Sequence, residues 1–162
     1  MKKLISIFGV TGSVGNSTIE LLRKRKNEFE LVAITCNSDV ENISILANEF
    51  SPKIIAVADE KKLAELRRNV PSNIMCFAGE EGICEAASYK TDIVIASIVG
   101  LAGLKPLIES IKSSSVIALA NKECIVSAGS LIKKLSKKND CNIIPVDLSL
   151  IHISEPTRLS AI

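Results

Sequence analysis

Short apolar runs alternate with longer amphipathic segments along residues 1–147. The apolar runs are mostly continuous stretches of Val, Ile and Leu, which is typical of strands buried on both faces of a parallel sheet. Seven strands are predicted, at Lys3–Phe8, Leu31–Cys36, Ile54–Val57, Ile74–Phe77, Asp92–Ala96, Val116–Leu119 and Asn142–Pro145. Six helices are predicted between them, at Val14–Lys26, Val40–Phe50, Lys61–Asn69, Glu80–Ser88, Leu104–Lys112 and Glu123–Lys137. This alternation predicts an α/β fold with a doubly wound, mostly parallel sheet and helices on both faces.

Three glycines lie between the first predicted strand and the first predicted helix, in the segment SIFGVTGSVGNST. Gly9 permits a tight turn, Gly12 lets a phosphate approach the backbone, and Gly15 allows the helix to pack closely against the strand. Asn16 stands where the phosphate-binding loop of nucleotide triphosphatases has lysine. Because a dinucleotide pyrophosphate meets a helix N-terminus at this place in a β-α-β unit, the turn favours a Rossmann-like dinucleotide site over a merely structural turn.

The end of the second predicted strand bears on the choice of nicotinamide cofactor. An acidic residue there would accept hydrogen bonds from the adenosine ribose of NAD. The strand ends instead in Thr35, Cys36, Asn37 and Ser38, and Asp39 follows. Since the strand end itself carries no carboxylate, NADP is preferred, although no arginine is present to hold its 2′-phosphate.

The composition narrows the classes of ligand and compartment. Aromatic residues make up 3% of the 162 residues, and 20 basic residues against 18 acidic ones give a net charge of +2. These values exclude a nucleic-acid or membrane surface and indicate a small-molecule partner. The five cysteines form no C-x-x-C pair, so reduced thiols of a cytoplasmic protein are expected. No segment reaches the roughly 18 apolar residues of a spanning helix.

Two further segments follow later strands, at Ala96–Leu104 and Ala118–Gly129. Open α/β sheets place their ligands at the carboxyl ends of strands, so both segments are predicted to line one crevice. In the second segment Asn121, Lys122 and Glu123 leave a strand and enter a helix. Taken alone, this tripeptide is also explained as a helix cap with two solvated charges.

Four motifs in this order and spacing, GVTGSVGNST, IVGLAGL, LANKECIVSAG and IPVD, resemble the 1-deoxy-D-xylulose 5-phosphate reductoisomerase family over Met1 to Asp147. The resemblance implies that the chain is that family's NADPH-binding domain and that Lys122 contacts the substrate. The implied cofactor contacts are Thr11, Gly12, Ser13, Val14, Asn37, Ser38, Asp39, Asn121 and Glu123. The basic residue that the family carries after its second strand is absent at residues 37–39.

The implied activity of the family is isomerisation of 1-deoxy-D-xylulose 5-phosphate and its reduction by NADPH to 2-C-methyl-D-erythritol 4-phosphate, in the non-mevalonate isoprenoid pathway. The full-length enzyme is expected to be a homodimer. A divalent metal, Mg²⁺ or Mn²⁺, polarises the substrate oxygens, and Asp147 matches the first of its carboxylate ligands. The family continues with serine and a metal-binding glutamate, where this chain has Leu148 and Ser149. The resemblance therefore implies no catalytic residue here, and the fragment alone is expected to be inactive.

The sequence after Asp147 departs from the alternating pattern. Leu148–Arg158, LSLIHISEPTR, resembles the reading-frame translation of a transposase adaptor used in preparing sequencing libraries. We therefore expect residues 1–147 to form one NADPH-binding domain and residues 148–162 to be a non-native tail. His152, the only histidine of the chain, lies in that tail and is assigned no role.

Two alternatives to the reductoisomerase hypothesis share the same glycine turn. One is another NADP-dependent oxidoreductase, of the semialdehyde or homoserine dehydrogenase type, and the LANKE motif argues against it. The other is a non-catalytic module that senses NADP(H), which would normally bring an additional recognition element. The first predicted strand begins at residue 3, so no such element precedes it in this sequence.

Overall fold

The computed structural model describes residues 1–146, so Asp147 and the expected non-native tail at 148–162 lie outside the described residues. Every predicted strand and helix is present. The strands are β1 (Lys3–Phe8), β2 (Phe29–Cys36), β3 (Ile54–Val57), β4 (Met75–Ala78), β5 (Thr91–Ala96), β6 (Ser114–Leu119) and β7 (Asn142–Pro145). The helices are α1 (Ser13–Lys24), α2 (Val40–Phe50), α3 (Leu63–Asn69), α4 (Gly79–Ser88), α5 (Leu104–Ser113) and α6 (Lys122–Lys138).

The seven strands form one entirely parallel sheet in the order β4-β3-β2-β1-β5-β6-β7. The chain therefore builds outward from β1 to β4 and then returns to the other side of β1 for β5. In the register of the sheet, Ile5 pairs with Leu31 on one side and with Ile93 on the other. This order confirms the doubly wound, parallel fold and places the switch point between the carboxyl ends of β1 and β5.

Two apolar clusters pack on opposite faces of the sheet, because successive strand residues point to opposite sides. One cluster joins β1 to β3 with helices α1, α2 and α3, and includes Ile7, Ile34 and Ile43. The other joins the sheet with α4, α5 and α6, and includes Leu107 and Ile117. Helices thus lie on both faces, as predicted.

One face of β5 and β6 is less covered than the other. Val94 and Ile117 face α4 to α6 and are buried, whereas Ile93, Ile95 and Val116 on the opposite face are only half-buried. Helices α1 to α3 pack against the sheet on the β1–β3 side and leave this part partly open. No helix of the described residues is long and apolar enough to cross a membrane.

Candidate functional site

The glycine turn after β1 is held between the carboxyl ends of β2 and β5. Gly9 has φ +83° and its N–H donates to both the carbonyl and the hydroxyl oxygen of Thr35, each at 3.1 Å. On the other side, the Ser97 hydroxyl donates to the carbonyl of Phe8 at 2.7 Å. A Cβ at Gly9 would lie 2.8 Å from the Ser97 carbonyl oxygen. The positive φ and this close approach confirm that the tight turn needs glycine at this position.

The start of α1 lies close to the turn and is open toward solvent. A Cβ at Gly15 would lie 2.4 Å from the carbonyl oxygen of Val10, which confirms the predicted close packing of this helix. At Gly12, the N-cap, a Cβ would meet only the Gly9 carbonyl oxygen, at 3.4 Å. The backbone around Gly12 is therefore accessible from the side that faces away from the protein.

Three consecutive amides at this helix start have no acceptor in the described part of the chain. They belong to Ser13, Val14 and Gly15, whereas the Asn16 amide already donates to the Gly12 carbonyl. No side chain caps the helix, and Ser13 is exposed. Free amides together with the positive end of the helix dipole form an anion-binding site. This cradle fits a phosphate or pyrophosphate group.

The carboxyl end of β2 carries two exposed polar residues, Asn37 and Ser38. Asp39 is the N-cap of α2, and its two carboxylate oxygens accept from the backbone and side-chain amides of Asn42 at 3.1 and 2.7 Å. The Asn37 carbonyl accepts from the N–H of Asp59 at 2.9 Å, which brings the loop after β3 alongside. The carboxylate that directly follows this strand end is thus engaged in capping a helix.

Asn121 joins the two later loops of the site. Its side chain is buried, and its Oδ1 accepts from the N–H of Cys124 as the N-cap of α6. Its Nδ2 donates to the carbonyls of Ile98 and Gly100, at 2.5 and 2.8 Å, in the loop after β5. Gly103 makes room for this amide, because a Cβ there would lie 2.8 Å from Nδ2. The Asn121 side chain therefore serves the protein's own backbone.

Lys122 and Glu123 begin α6 beside Asn121. Lys122 is exposed and Glu123 is half-buried, and neither forms an ion pair with another described residue. Both stand at the carboxyl edge of the sheet, near the loop after β5 that Asn121 contacts. A cation and a carboxylate are thus available at the edge where doubly wound sheets bind ligands.

The thiol of Cys124 lies beneath this tripeptide and is fully buried. Burial raises its pKa to about 11, and the charge of Glu123 adds to the shift. A thiol held protonated in this way is a packed side chain and not a nucleophile.

The predicted metal site begins at Asp147. Residues 1–146 contain no group of three or more His, Cys, Asp or Glu side chains that could hold a metal ion. Asp147, the predicted first ligand, lies outside the described residues.

Sequence reasoning missed the two hydroxyl residues that fix the glycine turn, Thr35 and Ser97. They lie 26 and 89 positions from the residues they hold. The signal that could have found them is their place at the ends of β2 and β5, the two strands that flank β1. Small hydroxyl residues there can reach the turn backbone.

The sheet order, the glycine turn at its switch point and the free amides of α1 define the class of Rossmann-like domains. Within this class, the sequence model of 1-deoxy-D-xylulose 5-phosphate reductoisomerase matches residues 5–129. The chain belongs to the 1-deoxy-D-xylulose 5-phosphate reductoisomerase family. This membership decides against the semialdehyde and homoserine dehydrogenase alternative.

Individual relatives agree with the family. The 1-deoxy-D-xylulose 5-phosphate reductoisomerase of Thermoanaerobacter sp. (strain X514) is 41% identical over 147 residues, which are 91% of this chain and 38% of the relative. The reductoisomerase from Zymomonas mobilis in complex with NADPH has a TM-score of 0.87 at 31% identity, over 90% of this chain and 39% of that one.

A structure of DOX-P reductoisomerase in complex with NADPH, fosmidomycin and magnesium has a TM-score of 0.87 at 34% identity, over 98% of this chain and 40% of that one. The present chain thus spans about two fifths of the length of the relatives it matches.

Proposed function

We propose that this chain is the NADPH-binding part of an enzyme that converts 1-deoxy-D-xylulose 5-phosphate to 2-C-methyl-D-erythritol 4-phosphate. The observation that carries the proposal is the set of free amides at Ser13, Val14 and Gly15, beside an unobstructed Gly12 at the switch point of the sheet. Relatives of the same family have been crystallised with NADPH, which is consistent with a dinucleotide at this place.

The cofactor lies across the carboxyl edge of the sheet in this proposal. Thr11, Gly12, Ser13 and Val14 surround its pyrophosphate, and the residues Asn37, Ser38 and Asp39 surround its adenosine end. Asn121 contributes its backbone, since its side chain is committed to other partners, and Glu123 contacts the nicotinamide half. Because both Asp39 oxygens cap α2, this carboxylate is a poor acceptor for the ribose hydroxyls of NAD, which favours NADP.

NADPH, when bound, supplies the hydride for the reduction. The residues of this chain bind and orient it, because the amides of α1 fix the pyrophosphate and the tight turn at Gly9 fixes the position of the helix. Lys122 is exposed at the start of α6 and contacts the phosphorylated substrate as a cation. A divalent metal, Mg²⁺ or Mn²⁺, requires further oxygen ligands besides Asp147, so the complete enzyme must supply them.

The same proposal includes a cytoplasmic location and a homodimeric full-length enzyme. Free cysteines, three of them buried, are consistent with a reducing cytoplasm. We propose a homodimer for the full-length enzyme, in keeping with the family resemblance. The ligands are small molecules, with no part for nucleic acid or membrane.

Titration with NADPH tests the cofactor proposal. The purified chain should enhance and shift the fluorescence of NADPH on binding, and Gly12→Asp should abolish the signal, because the new carboxylate repels the pyrophosphate. The fold should survive, since aspartate is among the preferred N-cap residues. Gly12→Asn adds nearly the same volume without the charge, so as the matched control it should weaken NADPH binding by obstruction alone, and less than Gly12→Asp does. Undiminished NADPH binding by Gly12→Asp, with a normal melting temperature, contradicts the assigned site.

The chain alone should turn over no 1-deoxy-D-xylulose 5-phosphate when NADPH and Mg²⁺ are added. Steady oxidation of NADPH that depends on this substrate is the result that contradicts the role of a cofactor-binding part.

The origin of residues 148–162 is a separate proposal. We propose that Leu148–Arg158 derives from a sequencing adaptor and not from the natural gene. Resequencing the source DNA with an adaptor-free method decides the matter. The same codons in an independent read contradict the proposal, whereas serine and glutamate directly after Asp147 support it.

A further inference from the structure

The adenosine end of the proposed site lacks a cation on its own strand. Asn37 and Ser38 follow β2, and both are exposed and uncharged. A 2′-phosphate adds negative charge at this end of the dinucleotide, and a basic residue nearby is what accommodates it. In this chain the positive charge that accommodates the 2′-phosphate must come from a neighbouring element.

Two of the carboxylates around this strand end, Asp39 and Asp59, cap helical turns, and a third, Glu60, lies against another helix. Asp39 caps α2 with both oxygens. Asp59 accepts the N–H of Lys61 on its Oδ1 at 3.0 Å and so caps the short 3-10 turn Glu60–Lys62. The Glu60 side chain lies against Gly79 at the start of α4, where a Cβ would come within 2.6 Å of its Oε1.

The loop after β3 lies directly beside the end of β2. The N–H of Ala58 donates to the Cys36 carbonyl at 3.0 Å, and that of Asp59 donates to the Asn37 carbonyl at 2.9 Å. Lys61 follows two residues later and is exposed. Since consecutive Cα atoms are about 3.8 Å apart, the Cα of Lys61 lies within roughly 8 Å of that of Asp59, so the lysine is near enough for its side chain to be turned toward a ligand at the end of β2.

Lys61 also differs from its neighbour Lys62 in its partners. The Lys62 ammonium pairs with Glu65 at 2.9 Å, an interaction that raises its pKa. Lys61 forms no ion pair with any residue in the described range. Of the two lysines in the turn, only Lys61 therefore offers an uncommitted charge to a ligand.

We propose that Lys61 binds the 2′-phosphate of NADPH and is a specificity-determining residue of this chain. The inference rests on the proposed NADPH function and adds to it the group that distinguishes NADPH from NADH. The cation comes from the turn after β3, in place of a basic residue after β2.

Binding of NADPH and NADH to the whole 162-residue chain tests this inference. Lys61→Ala should weaken NADPH binding about tenfold, the effect of losing one charge-assisted contact, and leave NADH binding within about twofold. Lys61→Arg should restore NADPH affinity. Lys62→Ala is the matched control, and it should bind NADPH like the unaltered chain because its ammonium already has a partner.

A smaller probe isolates the phosphate. Adenosine 2′,5′-bisphosphate should bind more weakly to Lys61→Ala, while 5′-AMP, which lacks the 2′-phosphate, should bind both chains equally. Normal NADPH affinity in Lys61→Ala, or equal losses for NADPH and NADH, overturns the inference but leaves the proposed function intact. Failure of the unaltered chain to bind NADPH overturns both.

Discussion

Both polar atoms of the Asn121 side chain form hydrogen bonds to the protein's own backbone. It accepts one hydrogen bond from the start of α6 and donates two to the loop after β5. The start of α6 and the loop after β5 both lie at the carboxyl edge of the sheet. The Asn121 side chain therefore fixes the position of this helix relative to the loop. Such an amide is costly to remove, because the N–H of the buried Cys124 and the carbonyls of the half-buried Ile98 and Gly100 would all lose a hydrogen bond.

Asn121→Ala should lower the free energy of unfolding by about 2 kcal/mol, because the carbonyls of Ile98 and Gly100 lose their donor. Asn121→Asp should be similarly destabilising, since it keeps the cap on Cys124 but turns an oxygen toward two carbonyls. Urea unfolding followed by circular dichroism gives both values.

Asn139 is the matched control for this prediction. It lies at the other end of α6 and is exposed, and its side chain makes a single hydrogen bond to the Leu135 carbonyl. Asn139→Ala should cost less than about 0.5 kcal/mol. Equal losses at the two positions contradict the bridging role of Asn121.

The sequence alone could indicate Asn121 as a polar residue at the ligand edge, but not what its side chain would bind. Its two acceptors lie 23 and 21 positions earlier in the chain. Only the pairing of β5 with β6 brings them together. The same holds for Lys61, which follows Asp59, because only the pairing of β2 with β3 brings Asp59 against Asn37.

At the scale of elements, the apolar pattern predicted the helices and strands well because almost every strand is buried on at least one face. β2 begins at Phe29, two residues before the predicted start. The prediction began too late because the exposed Glu30 interrupts the apolar run. The 3-10 turns Glu60–Lys62 and Leu101–Gly103 are too short to produce a periodic pattern. The missed parts are thus those with no continuous buried face.

Helices α1 and α2 are joined by a bidentate ion pair. The Arg23 guanidinium donates to both Glu49 oxygens, at 2.8 and 2.7 Å, and also contacts Glu20 on its own helix. The hydrogen bonds from Arg23 lower the pKa of Glu49 below its usual value. The pair therefore stabilises the folded chain only where Glu49 is ionised.

Glu49→Gln should make the chain less stable near neutral pH, by the small amount expected for a pair at the surface. Because the pKa of Glu49 is lower in the folded state, the lost stability is present above the ordinary glutamate pKa and disappears as the pH falls. Urea midpoints of the two chains should therefore converge as the pH falls below the ordinary glutamate pKa.

Glu28→Gln is the control for this pH dependence. Its partner Arg25 is 3.5 Å away, and both side chains are more than half exposed. The difference in urea midpoint between the unaltered chain and Glu28→Gln should therefore be the same at every pH. A Glu49→Gln difference that stays constant down to low pH contradicts the assignment of the stabilisation to the Arg23 pair.

At the scale of the whole molecule, the reactivity of the buried cysteines is a measure of global unfolding. Cys36 and Cys124 lie in the two clusters on opposite faces of the sheet. Burial raises the pKa of Cys36 to about 12 and that of Cys124 to about 11. Cys141 is likewise buried, with a pKa raised to about 11.

The three buried thiols should react with a disulfide reagent only when the whole domain unfolds. At pH 8 about one thousandth or less of each is thiolate in the folded chain, and the reagent has no access. The double variant Cys76→Ser with Cys84→Ser removes the two half-buried thiols. This variant should be nearly unreactive in buffer and should react at three thiols in urea.

The rates at which the three thiols react below the urea midpoint test whether the domain unfolds as one unit. If the three thiols become modified at different rates well below the urea midpoint, the two faces of the sheet open separately. A single common rate indicates that the clusters unfold together.

The central place of β1 also has a consequence during protein synthesis. Its residue Ile5 finds Leu31 early, but Ile93 is made 62 residues later. At roughly 5–20 residues per second, the growing chain carries one open edge of β1 for roughly 3–12 s. An apolar strand with an unpaired edge is a template for pairing with other chains. The arrangement that sets the glycine turn in the middle of the sheet thus leaves the nascent polypeptide with an edge open to pairing with other chains until β5 emerges.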